Sequence, residues 1–477
     1  GSGSNLPGYY MYHGGNNPEG KLTTLNEQQA SSYTNHNDLP VESYDFQAPL
    51  GEFGQINPHY HLLRKLHIFL NDFGSELALM KPCFPENAEN DADKDSLLRW
   101  SVRSNGNSGY IFINNYQRLK PLCPKENTQF TLKTSEENLT IPQSPVTIPA
   151  GACFFIPFNM DLGGVPLIYA TAQPIARMEE TGNLTYIFSQ IKGIPTEFAF
   201  ENKKVTVKSF TGKKKSNGNR IYFSELKSGT SPAIQLLTPD NKKITIILLD
   251  EDTSLKLWKG EFAGKERLFL TDDGLTFHKN QLELENSGKE YSVSIFPAPE
   301  LLTSNRKKLK PVKDGFFSRY KISSTTNKSF SVELEKISDV TLPVRNVRPG
   351  SRNVAEMPND SDFNKAASWK IILPENPDKS RDITLRITYK GDVARVYSGN
   401  KLLTDNFYNG KPMDVNLKYF AGEIKGNELV LKVLPLQKNM PVYFPKETGL
   451  SFGDFDFIIE PPKIEMMENR TCVLIAK

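Results

Sequence analysis

Two hydrophobic periods divide the chain. Between Asn57 and Gly74, the residues Leu62, Leu63, Leu66, Phe69, Leu70 and Phe73 recur at helical spacing, which lays an apolar stripe along one face of an α-helix. Asn57-Pro58 supplies an N-cap followed by proline at the first helical position, and Gly74 fits the stop. Ahead of it, Tyr9-Tyr10-Met11-Tyr12 is a short aromatic and apolar run closed by Gly14-Gly15, the pattern of a buried strand ending at a glycine turn. Strand, long loop and helix make one βα unit; within the loop, residues 25–34 suit a short helix and 35–40 a turn. From residue 98 onward the period falls to two. Leu98, Trp100 and Val102 alternate with Arg99, Ser101 and Arg103, and Asn105-Gly106-Asn107-Ser108-Gly109 turns the chain into Tyr110-Ile111-Phe112-Ile113, a β-hairpin.

Short strands continue over 130–133, 153–156, 167–172, 185–189 and 205–210, with Pro, Gly and Asn turns between them. The run 243–249 reads as a buried strand, and Asp250-Glu251-Asp252 starts one helical turn toward Trp258, acids being favoured at a helix N-terminus. That trio lacks the spaced ligands and glycine of a calcium loop. Further strands are expected at 368–373, 383–389 and 393–397, with Lys390-Gly391-Asp392 as a hairpin turn, and at 402–403, 428–435 and 454–460. The stretches 288–297 and 426–435 resemble each other. The fold class is mainly β, with antiparallel β-sandwich or jelly-roll domains behind a single βα unit. A polar, proline-bearing linker at 82–94 and a basic stretch at 301–314 divide the chain into 1–80, 81–300 and 301–477.

Composition narrows the function by exclusion. At 477 residues the chain has room for several buried cores, and its 24% charged residues and net charge of +3 give no electrostatic case for nucleic acid or an anionic membrane. Lys213-Lys214-Lys215 and Arg306-Lys307-Lys308 read as solvated faces. No apolar run approaches a membrane span. Cys83, Cys123, Cys153 and Cys472 are too scattered for a disulfide scaffold or a zinc site, and His59 and His61 sit two apart on different helix faces, a poor metal pair. No serine or cysteine triad, phosphate loop or dinucleotide fingerprint occurs. No cofactor is expected.

One stretch carries a family likeness. Met11-Tyr12-His13-Gly14-Gly15-Asn16-Asn17, followed by Ser43-Tyr44-Asp45-Phe46-Gln47-Ala48-Pro49-Leu50-Gly51-Glu52-Phe53-Gly54, resembles the last strand and loop of the (β/α)8 barrel in family-35 glycoside hydrolases, the β-galactosidases. The family pattern there reads approximately Met-Phe/Tyr-His-Gly-Gly-Thr-Asn, then Ser-Tyr-Asp-Tyr-Asp-Ala-Pro. The β-rich remainder also looks like that family's C-terminal part, whose last module is a jelly roll of galactose-binding type. On this likeness, residues 1–80 are the remnant of the barrel's last βα unit. A barrel takes about 250 residues, so one strand and one helix cannot close it.

The same likeness assigns candidate residues. Loops at the C-terminal ends of barrel strands line the galactose pocket, which places His13, Asn17, Tyr44, Asp45 and Phe46 on its rim. Phe46 stands where the family has a tyrosine that touches the sugar, so one hydroxyl contact is lost, and a site built around such a contact discriminates strongly. Asp45, in a tight loop, is expected to bond local backbone amides. A retaining glycosidase needs two carboxyl groups about 5–5.5 Å apart, and the family carries them in Gln-x-Glu-Asn-Glu-Tyr-Gly and Ser/Thr-Glu-Phe/Tyr/Trp-Trp-x-Gly-Trp segments. Neither occurs in this sequence. The implied function is therefore the C-terminal part of an enzyme acting on terminal β-galactosides, without its own catalytic pair. The alternative is a non-catalytic carbohydrate-binding or structural β-sandwich protein. Implied partners are a galactose-containing oligo- or polysaccharide and either the missing barrel portion or a second copy; the implied compartment is periplasmic or secreted. Trp369, Tyr397, Phe407 and Tyr408 are aromatics expected in core contacts rather than as sugar platforms. The helix face of Leu62, Leu66, Phe69 and Phe73 must bury against the β region or a partner.

Overall fold

A computed structural model describes residues 2–18, 20–21, 40–86, 93–118, 120–288, 290–323, 331–344, 355, 357–374, 381–444 and 448–476. The expected helix is α1 (Pro58–Leu79), with Pro58 in the first turn and Asn57 at the N-cap position, although the Asn57 side chain makes no capping bond and its Nδ2 donates to Ala48 O at 2.7 Å. It runs past Gly74 because its end is capped from outside: the Arg103 guanidinium donates to Leu77 O at 2.8 Å and to Met80 O at 3.0 Å. The helix docks on β structure, as its apolar face demands. Phe69 and Phe73 are buried against Tyr110 and Phe155, and Ile68 packs with Ile175 and Ile247. Leu62, however, stays 55% exposed, and Arg64, Lys65 and Asp72 are buried instead.

The run Tyr9–Tyr12 forms no strand, contrary to the aromatic pattern. Tyr10 is 83% exposed, and Tyr9 and Tyr12 lean on His67 of α1 with ring centroids 5.5 and 6.1 Å apart. A buried parallel strand needs partners on both edges; the pairing begins only at Gly15–Asn16, which meets Ser43–Tyr44 antiparallel. The expected short helix at 25–34 and most of the turn at 35–40 lie outside the described residues.

Behind α1 the molecule is mainly β. An eight-stranded antiparallel sheet runs in the order 213–217, 220–224, 197–201, 166–170, 153–161, 109–114, 99–104, 81–83. It includes the predicted hairpin, Arg99–Ser104 against Gly109–Asn114, and its edge strand Lys81–Cys83 runs into the stretch read as linker. It packs on a five-stranded sheet in which Asn183–Ser189 and Lys243–Leu249 are parallel neighbours. That pairing explains the unbroken apolar run: all six residues from Ile244 to Leu249 are buried, as a parallel strand covered on both faces requires. Asp250 then caps the short helix Glu251–Ser254 by accepting from Thr253 N.

Two further sheets follow. One orders strands 257–262, 265–270, 290–296, 317–323, 312–314, the other 274–278, 281–286, 470–476, 302–304, 307–308. Residue 300, expected as a boundary, lies between strands of one sheet pair, because Glu290–Phe296 pairs with Phe317–Ser323. The last strand, Arg470–Ala476, returns to sit between Gln281–Asn286 and Leu302–Ser304. The intervening sandwich joins a sheet of 333–338, 367–372, 428–433, 393–398 and 401–407 to one of 413–416, 383–390 and 460–468. Here the expected hairpin at Lys390-Gly391-Asp392 is corrected. Ile383–Lys390 and Val393–Ser398 belong to opposite sheets, and the turn between them is a corner held by Asp392 N to Leu434 O at 2.7 Å. Both strands send alternate apolar residues into one core, Leu385 and Ile387 from one side and Ala394 and Val396 from the other. Period alone cannot separate that corner from a hairpin. Trp369 and Tyr408 are buried in this core, and Phe407 packs on Phe363 and its neighbours.

Candidate functional site

The motif loop is a knot tied by three carboxylates, two of them accepting from backbone amides and one from side chains. Gly15–Asn16 and Ser43–Tyr44 pair, and Leu50 is pinned between Tyr12 and Gly14 by hydrogen bonds of 3.0 and 2.7 Å. A Cβ on Gly14 would stand 2.8 Å from Glu52 N and 3.0 Å from Asp45 Cα, so only glycine lets the two segments close up. Ala48 N donates to Asp45 O at 3.0 Å across Phe46 (φ 47°) and Gln47 (φ 53°). Two consecutive positive φ values make this a type I′ turn, which ordinarily selects Asn or Gly. Here it holds phenylalanine and glutamine.

The five expected site residues come together in this knot, in different roles. His13 is exposed, with Nδ1 against Gly14 O. Asn17 is buried; its Nδ2 donates to Val41 O at 3.0 Å, which clamps the two halves of the loop. Tyr44 places its hydroxyl 3.2 Å from that of Tyr10 and its ring edge-on to Phe46 at 4.6 Å. Phe46 is 47% exposed and open to solvent. Asp45 accepts from Gln47 N at 2.7 Å and from Glu52 N at 2.6 Å, the backbone-bonding role expected of it.

Two carboxylates were missed by sequence reasoning. Glu52 accepts from Ser43 Oγ at 2.6 Å and from Asn16 Nδ2 at 3.0 Å and is only 8% exposed. Burial pushes its carboxyl up to about 7, against the pull of those two donors, and the charges of Asp45 and Asp405 add to the push. Its signal was in the motif itself, where Glu52 follows Gly51. Asp405, on strand Lys401–Phe407, accepts from Val41 N at 2.6 Å, Glu42 N at 2.8 Å and Ser43 N at 3.2 Å. No local pattern could have linked it to a loop more than 360 residues earlier. Phe53 completes the contact by meeting Tyr419 and Phe420 edge-on at 5.4 and 5.7 Å.

All four oxygens of Asp45 and Glu52 thus accept hydrogen bonds from loop atoms. Cavities of about 1760, 820 and 760 Å³ are lined by other residues. Among the described residues, no group of three or more His, Cys, Asp and Glu side chains gathers to hold a metal ion, and all four cysteines are free. No helix among them is long and apolar enough to cross a membrane.

Residues 81–256 match the family model described as "Beta-galactosidase, domain 2". That stretch, the eight-stranded sheet and its five-stranded partner, is a β-galactosidase-related domain. It is also the part on which α1 and its apolar face rest. No curated protein matches the chain. Among solved structures, the crystal structure of the GH31 alpha-xylosidase from Xanthomonas citri aligns at 9% identity with a TM-score of 0.13, over 83% of this chain. The chain spans 37% of the length of that structure, and a likeness at this level carries no argument.

Proposed function

We propose that the chain is the C-terminal part of a family-35 retaining β-galactosidase, acting on terminal β-galactosides of glycans. Residues 1–80 are then the remnant of the barrel's last βα unit. The carrying observation is the conjunction of the motif at residues 11–54 with the β-galactosidase domain 2 match that begins at residue 81, directly behind it. His13, Asn17, Tyr44, Asp45 and Phe46 line the rim of the galactose pocket in this reading. Asp45, Glu52 and Asp405 fix the rim, and the two catalytic carboxylates come from a preceding stretch of the same enzyme. The fold of the loop supports a positioning task, since Asp45 and Asp405 bond its backbone and Glu52 bonds its side chains. A secreted or periplasmic setting and a jelly-roll, galactose-binding-type last module belong to the same proposal.

The test compares residues 1–477 with the product of the whole reading frame on a nitrophenyl β-galactoside. Turnover is expected from the whole product and none from residues 1–477. Normal turnover by residues 1–477, or a whole product lacking both glutamate segments, overturns the reading.

A further inference from the structure

A second polar cleft, of about 820 Å³, opens beside the C-terminal half of α1, where Asn71 and Glu76 face strand Gln173–Glu180 and residues 159–163. Its size lies within the roughly 300–1,000 Å³ of small-ligand clefts. At 1.5 Å per residue it stands roughly 20 Å or more along the helix from Pro58, where the motif loop hands over to α1.

Two buried tyrosines line it. Tyr110 is 2% and Tyr186 3% exposed, and neither hydroxyl has a hydrogen-bond partner among the described residues. The Tyr110 ring meets Phe69 and Phe155 edge-on in the core at 5.4 and 5.9 Å, which leaves its oxygen toward Glu76 and Arg177 in the cleft. The Tyr186 oxygen lies 4.0 Å from the place a Cβ on Gly163 would take, and Gly163 is also on the wall. Neither oxygen is among the sealed, unpartnered polar atoms of the described residues, so both hydroxyls open into the cleft, where a ligand can reach them.

The rest of the wall says what. Asn159 spends its Nδ2 on Asn107 O at 2.9 Å and keeps its Oδ1. Asp161 gives one oxygen to Gly164 N at 2.7 Å and, among the described residues, keeps the other, and Glu179 has no cation partner among them. The two cations are already taken, Arg177 by Glu76 at 2.8 Å and Lys259 by Asp72 at 2.6 Å. Unpaired carboxylates repel an acidic ligand. Hydroxyls that donate and accept beside free acceptors, with Met160, Met178 and Leu184 as apolar surface, suit a ligand dense in hydroxyl groups. We propose that this cleft binds a neutral mono- or disaccharide, whose hydroxyls pair with Tyr110 and Tyr186. The proposal does not rest on the motif loop or on any catalytic role for the chain.

The test is calorimetric titration of residues 1–477 with galactose, lactose, cellobiose and glucuronate. Saturable binding of at least one neutral sugar is expected, with each of Tyr110→Phe and Tyr186→Phe weakening it about two- to tenfold. Because neither hydroxyl has a protein partner to lose, both variants should keep the melting temperature of the parent, which separates lost recognition from lost folding. No binding of any neutral sugar at about 20 mM, twenty times a 1 mM dissociation constant, overturns the proposal. So does affinity that survives the double variant, which would put the sugar elsewhere, and so does glucuronate binding as tightly as the neutral sugars.

Discussion

The motif loop and helix α1 are consecutive in sequence, yet they are anchored by opposite chemistry to different β modules. The loop offers backbone N–H groups, and the C-terminal sandwich supplies the acceptor, Asp405. The helix offers side chains of both signs. Asp72 accepts from Lys259 Nζ at 2.6 Å and from Arg177 N at 2.8 Å, while Arg64 lies over the Trp258 ring at 3.6 Å and donates to Leu257 O at 3.1 Å. Lys65 reaches Ser189 Oγ at 2.9 Å, and burial pushes its amine down to about 8. An irregular loop has orphan amides that only an outside acceptor can satisfy. A helix satisfies its own amides and is free to dock through side chains. Loop position therefore depends on one carboxylate, with Phe53 packed beside it on Tyr419 and Phe420, and helix position on several polar side chains.

That contrast predicts the largest effect at Asp405. Asp405→Ala removes the carboxylate that accepts from the N–H groups of Val41, Glu42 and Ser43, and the charge facing Arg395, its register partner on the next strand. A loss of about 3–5 kcal/mol is expected for the unit that holds the loop. Hydrogen exchange locates it: amides 41–43 should lose protection while those of Lys243–Leu249 keep theirs. Equal loss in both would mean that the loop is not an independent unit.

Asp72→Ala tests the other anchor. It strands Lys259 in the interior, but Glu266 at 3.1 Å and Arg177 O at 2.9 Å remain to it. With Arg64, Lys65 and the Phe69–Phe73 face intact, the expected cost is about 2–3 kcal/mol. Exchange in α1 should rise with the motif loop unchanged. A loop that opens together with the helix would erase the distinction drawn above.

Sequence reasoning reached as far as local chemistry does. The helix start at Asn57-Pro58, the hairpin around Asn105–Gly109 and the one helical turn begun by the acidic trio each rest on residues within a few positions of one another, and all three are present. The motif brought His13, Asn17, Tyr44, Asp45 and Phe46 to one place because a short ladder and a glycine contact suffice to do so. What stayed hidden depends on distant partners. Gly74 stops nothing because Arg103 caps the helix five residues later. Arg64, Lys65 and Asp72 look like solvent-facing residues until Ser189, Leu257 and Lys259 are known to cover them. The 390–392 corner imitates a hairpin since both flanking strands alternate toward the same core.

Glu52 sharpens the comparison through pH. Its carboxyl sits at 4.5 ordinarily and at about 7 in the folded loop. The folded state therefore holds the proton more tightly than the unfolded one. Its contribution to stability is greatest below about 4.5, falls as pH rises to about 7, and is level above that. A shift of this size bounds the loss at about 3 kcal/mol, and relaxation of the loop should bring it nearer 1–2. Glu52→Gln, which cannot ionise, should flatten the loop's protection factors, the intrinsic exchange rates divided by the observed ones, between about pH 4.5 and 7, the range of the shift. Wild-type protection factors that are level across the same range would refute the buried-acid account.

The smallest effect concerns the type I′ turn. Phe46 and Gln47 both occupy left-handed backbone, at a cost of about 1–2 kcal/mol for a residue with a Cβ, and Asp45 holds the turn through Gln47 N and Glu52 N. Gln47→Gly removes the steric term and adds chain entropy to the unfolded state, so a net gain of about 0.5–1 kcal/mol is expected. Strain of this kind persists where the surroundings dictate it, and it gathers at functional sites. If the turn exists to hold the Phe46 ring on a sugar-facing rim, Gln47→Gly in the whole enzyme should stabilise the loop and at the same time raise KM for a β-galactoside. Stabilisation with KM unchanged would leave the turn as a purely structural corner and detach Phe46 from the site.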